Sequence, residues 1–94
     1  METDLKKRSD HRVKIIAGQV KSLAKMIDDD RYCVDILTQS LAIQKSLSSL
    51  SSLVLENHIK THVRENLLSE NEKIREKTTK ELLHLYQLNN RGRS

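Results

Sequence analysis

Three side chains in this sequence could together hold a soft or borderline metal ion: Cys33, His58 and His62. The two histidines stand four apart in LENHIKTH (residues 55–62), a spacing that turns both imidazoles to one side of a helix. Two imidazoles rarely complete a site, and the single cysteine of the chain offers a thiolate as third donor. At 100° per residue, the path from Cys33 to His58 ends within about 20° of whole turns, so thiol and imidazoles share a helix face. The same path, at 1.5 Å per residue, separates them by about 37 Å. One chain therefore cannot close the site. An antiparallel pair of such helices brings Cys33 of one protomer to His58 and His62 of its mate, and two-fold symmetry makes two equivalent sites.

One thiolate with two imidazoles suits Cu(I), Zn(II), Ni(II) or Co(II), and not Mg(II) or Ca(II). Three donors satisfy trigonal Cu(I). Ni(II) or Co(II) in a square-planar or octahedral site needs more, from backbone nitrogen, the N-terminus or His11. Two imidazoles beside one thiolate form a harder set than two thiolates beside one imidazole, which leans the expectation toward one Ni(II) or Co(II) ion per protomer over Cu(I). Hydrolysis is not expected. Ile59 stands where an H-E-x-x-H protease carries its catalytic glutamate, and Glu56 lies about 160° round the helix from His58.

The elements that must position these donors are helices. There is no Pro, Trp or Phe, and only Gly18 and Gly92 interrupt the side chains, a composition that disfavours sheets and tight turns. A first helix is expected from about Asp4 or Ser9 to Ile27, with Val13, Ile16, Val20, Leu23 and Ile27 as its core face. Asp28 to Asp30 offer N-cap oxygens for a long central helix running from about Asp30 to beyond Val63. Ser69 to Glu72 matches an S-x-x-E capping box and opens a third helix through about Leu88. The expected fold is all-α: a three-helix protomer in one domain over residues 1–94, with 1–8 and 89–94 flexible. A long helix with one apolar stripe needs partners, so the protomer is expected to complete its core in an antiparallel bundle dimer.

The first helix also carries a cationic line. Lys7, Lys14, Lys21 and Lys25 project within about 20° of one direction over some 27 Å of axis, opposite the expected core face. Gly18 lies close to the same line, and residues 11–27 contain no acid. Such lysines supply salt-dependent phosphate contacts and little base readout. The formal net charge of +4 and pI of about 9.4 agree with a nucleic-acid partner without requiring one. No apolar run approaches the roughly 20 residues of a membrane span, the start METDLKKRSD is unlike a signal peptide, and a lone cysteine points to a reducing cytoplasm.

With these pieces in place, the chain resembles the CsoR/RcnR family of small bacterial metal-sensing repressors. The resemblance covers about residues 9–88 and is carried by RVKIIAGQVKSLAKMIDDDRYCVDILTQSLAIQ (12–44) and LENHIKTHV (55–63). It implies an all-α antiparallel dimer, commonly a dimer of dimers, that binds operator DNA without metal and releases an efflux or detoxification operon when metal binds between protomers. Cys33, His58 and His62 fall on the family's ligand positions. Tyr32 matches a tyrosine that hydrogen-bonds to a ligand imidazole in copper sensors, and Arg12, Lys14 and Gln19 fall on positions implicated in operator contact. The copper branch commonly has Cys where His62 stands, and Cys-His-His is typical of nickel/cobalt sensors and also occurs in some copper sensors. Formaldehyde sensors of the family carry proline at position 2, where this chain has Glu2.

Overall fold

The computed structural model of the protein describes residues 3–91, all in helices or the short turns between them. Helix α1 is Thr3–Asp28 and α2 is Cys33–His58; a π-helical turn follows at Ile59–Val63, then α3 at Arg64–Leu67 and α4 at Glu72–Arg91. The protomer is all-α, in three helical runs. The described residues divide into two compact units, with the boundary between Asn57 and His58. Helix α1 takes in Thr3 to Arg8, part of the stretch expected to be flexible, and Leu5 there is buried. Residues 1, 2 and 92–94 lie outside the described residues.

In the first unit, α1 ends in a way the aspartate run was not expected to produce. The Arg31 amide donates to Met26 O (2.9 Å) and the Asp30 amide to Ile27 O (3.1 Å), with Asp30 in the left-handed region at φ 51°. This is a Schellman closure, which satisfies the last carbonyls of α1. Aspartate is among the few residues other than glycine that enter that region readily. The aspartates therefore end α1 instead of capping α2. Helix α2 begins later than expected, at Cys33, with the Tyr32 carbonyl accepting from the amides of Asp35 (3.0 Å) and Ile36 (3.2 Å).

The face of α1 turned to α2 is also rotated from the expected one. Leu5, Ser9, Arg12, Ile16, Gln19, Leu23 and Met26, spaced by fours and threes, are its buried and half-buried positions. Gln39 Nε2 donates to Gln19 O at 3.2 Å, and the Arg12 guanidinium donates to Ser49 Oγ. Ile43 is the buried apolar residue of α2. Of the expected core face, Ile16 is buried and Leu23 half-buried, but Val13 (48%), Val20 (48%) and Ile27 (54%) are exposed.

In the second unit α3 packs on α4, with Val63 and Thr78 buried. Thr78 Oγ1 satisfies itself by donating to Ile74 O at 2.8 Å. The cap of α4 is Asn71, not Ser69: Asn71 Oδ1 accepts from the Lys73 amide at 2.9 Å, while Ser69 Oγ accepts from the Asn71 amide at 3.1 Å. The offset follows from the turn, since the first helical residue is Glu72 and the residue before it takes the cap position.

Candidate metal centre and nucleic-acid interface

His58 is the last residue of α2 and His62 sits inside the π turn that follows. A π turn closes i→i+5 bonds, so four residues advance close to one whole turn there, as they do in an α-helix. The two rings meet with centroids 5.5 Å apart and planes tilted by 41°. Two imidazoles that each place a nitrogen about 2.0 Å from one ion can have centroids up to roughly 6 Å apart, and this pair lies within that distance. His58 is half-buried and His62 exposed, which leaves one side of the pair open to a further donor.

Cys33 is a free, exposed thiol at the first position of α2. Asp35 places a carboxylate in the same first turn. Arg31 lies 3.8 Å from Asp35 and offsets part of that charge. Tyr32 is largely exposed beside the thiol. Among the described residues, no group of three His, Cys, Asp or Glu side chains within the chain could hold an ion. The structure thus brings the two histidines together.

On α1, Lys7, Lys14, Lys21 and Lys25 are all exposed. Lys14 Nζ is 3.0 Å from Asp10 Oδ2, so an acid borders the lysine line just outside the stretch that lacks one. The other two α1 positions singled out for DNA, Arg12 and Gln19, are half-buried against α2. Arg12 lines a groove between α1 and α2 of about 570 Å³, with His11 and Lys45 also at its walls and no carboxylate among its lining residues. Lys45 was not legible as a candidate, because nothing in its local spacing couples it to α1; the register of the helix pair brings it there.

A family model described as a metal-sensitive transcriptional repressor matches residues 5–87. The copper-sensing transcriptional repressor RicR of Mycobacterium tuberculosis is 40% identical over 48 residues, 51% of this chain and 50% of the relative. The copper-sensing transcriptional repressor CsoR of Bacillus subtilis is 44% identical over 48 residues, 51% of this chain and 48% of the relative. The chain spans about half the length of the curated relatives it matches. Among solved structures, the copper-sensing repressor CsoR with Cu(I) from Geobacillus thermodenitrificans superposes with a TM-score of 0.84 at 32% identity, covering 94% of this chain and 88% of that one. A variant of the formaldehyde-responsive regulator FrmR from Salmonella enterica serovar Typhimurium gives a TM-score of 0.75 at 29% identity, over 93% of this chain and 96% of that one.

Proposed function

The chain belongs to the metal-sensitive transcriptional repressor family, and from that premise we propose a repressor that binds operator DNA in its apo form and leaves it when Cu(I) binds between subunits. The observation that carries the proposal is the His58–His62 ring pair at 5.5 Å, open to one more donor. In the proposed site His58 and His62 of one protomer supply imidazole nitrogens and Cys33 of the other supplies the thiolate. The donor set alone leans toward Ni(II) or Co(II); the relatives described as copper-sensing favour Cu(I), for which three donors suffice. Such repressors are not enzymes, and the proposed place of action is the cytoplasm.

Helix arithmetic supports the shared site. A continuous α2 carries its ends, Cys33 and His58, about 37 Å apart, so only a second chain can complete the donor set. The exposed stripes supply the means of pairing. Val13, Val20 and Ile27 on α1, and Val34, Leu37 and Leu41 on α2, are large apolar side chains left in water by the protomer. An antiparallel homodimer covers them, and a dimer of dimers is the proposed assembly on DNA. Bound metal supplies a cross-link that favours one dimer geometry. DNA favours another, so each ligand weakens the other by the same factor. Tyr32, next to the thiol, hydrogen-bonds a ligand imidazole in this scheme.

The test is an anaerobic titration of reduced apo protein with Cu(I) and, separately, Ni(II) and Co(II), each against a competing chelator. Thiolate-to-metal charge transfer reports binding, and the same samples report release of promoter DNA. One Cu(I) per protomer, coupled to release and lost in Cys33→Ala and His62→Ala, is the expected outcome. Tighter coupling to Ni(II) or Co(II) would refute the choice of metal. The similarity to FrmR gives a second reading, a formaldehyde-responsive repressor. In that case formaldehyde alone would release the DNA and metal would not.

A further inference from the structure

Glycine is a poor residue for the interior of an α-helix, because its backbone loses more freedom on folding than any other. Gly18 nevertheless stands near the middle of α1, with ordinary negative φ. A Cβ built on it would meet nothing within 4 Å. Neither a turn nor a packing contact within the protomer requires the glycine. The remaining physical use of a bare position on a helix is to let something from outside come close to the backbone.

The surroundings of Gly18 say what that is. On the helix surface its neighbours three and four residues away include Lys14 and Lys21, and His11 and Lys25 lie two turns off on the same face. All four are exposed, and residues 11–27 contain no carboxylate. The exposed apolar stripe of Val13, Val20 and Ile27 projects about 140° or more away, so a second copy covering that stripe does not cover Gly18. A bare backbone flanked along the helix by Lys14 and Lys21, with Ile15 and Ser22 as its other neighbours, is complementary to a polyanion. We infer that Gly18 is the point of closest approach of a duplex DNA backbone to α1, with a phosphate seated between Lys14 and Lys21. The inference rests on the DNA-binding reading and adds the place and closeness of contact.

Gly18→Ala tests it without changing any charge. Binding of reduced apo protein to a labelled duplex of arbitrary sequence, about 30 base pairs long, is measured by anisotropy over a range of salt, since contacts to phosphate need no operator. In the variant the thermal midpoint rises and the sedimentation coefficient is unchanged. The affinity falls about tenfold, and the dependence of log K on log salt becomes shallower by roughly one released counterion. Wild-type protein that binds no duplex would remove the DNA reading itself and this inference with it. Wild-type binding matched by Gly18→Ala would overturn the inference alone. A changed sedimentation coefficient in the variant would assign Gly18 to a subunit contact and overturn it equally.

Discussion

At the scale of single residues, the polar side chains of α1 divide by direction. Arg12 and Gln19 turn inward: Arg12 bonds Ser49, the Gln19 carbonyl receives Gln39, and Gln19 Oε1 is buried without a partner. A buried acceptor left unbonded destabilises by roughly 1–3 kcal/mol, so this seam is polar and weakly held. The lysines turn outward, and Lys14 pairs with an acid, Asp10. Both members of that pair are largely exposed, so the pair adds little to stability. In the proposed DNA complex its larger effect is on binding, because a carboxylate 3.0 Å from Lys14 would compete with phosphate. Asp10→Asn is expected to raise affinity for duplex DNA by about two- to fivefold at low salt, with the gain fading as salt is added. An unchanged affinity in a salt series would show that Lys14 makes no phosphate contact.

At the scale of elements, the helix termini and the π turn decide where the proposed donors sit. The Schellman closure at Asp30 sets the start of α2 at Cys33, and so sets the thiol in a helical first turn. At the other end, His62 in the π turn meets the His58 ring that closes α2. Asn71 sets the start of α4, and Asn71→Ala is expected to lower stability by about 1 kcal/mol in urea denaturation. Ser69→Ala should cost less, and the reverse order would restore Ser69 as the cap.

These details also mark how far the residues could be read. Long helices followed from the absence of proline and the scarcity of glycine, and the His58–His62 pair from its spacing. The π turn did not, because Ile59 to Val63 carry no local signal that distinguishes i→i+5 from i→i+4 bonding. The aspartate run misled because aspartate serves both as N-cap and in the left-handed region. The inward face of α1 was hidden for another reason. It mixes Leu5, Ile16 and Leu23 with Ser9, Arg12 and Gln19, so hydrophobic periodicity pointed instead to the stripe that includes Val13, Val20 and Ile27.

At the scale of the whole molecule, that stripe ties assembly to sensing in the proposed scheme. A protomer that leaves Val20, Leu37 and Leu41 in water is an incomplete core. Val20→Glu is therefore expected to shift the protein to monomers in sedimentation velocity and, in the same sample, to abolish the thiolate-to-metal band, because each site needs two chains. Retention of the band by monomers would place all the donors on one chain.

Complementation between two inactive variants tests the shared site most directly. Cys33→Ala and His62→Ala proteins are each titrated with Cu(I), then unfolded together in equal amounts, refolded and titrated again. In a mixed dimer the His62→Ala chain supplies Cys33 and the Cys33→Ala chain supplies His58 and His62, so one native site returns. With random pairing, the account predicts recovery of about a quarter of an ion per protomer with the thiolate charge-transfer band. Mixed dimers that form and recover none would contradict the intersubunit Cys33–His58–His62 centre.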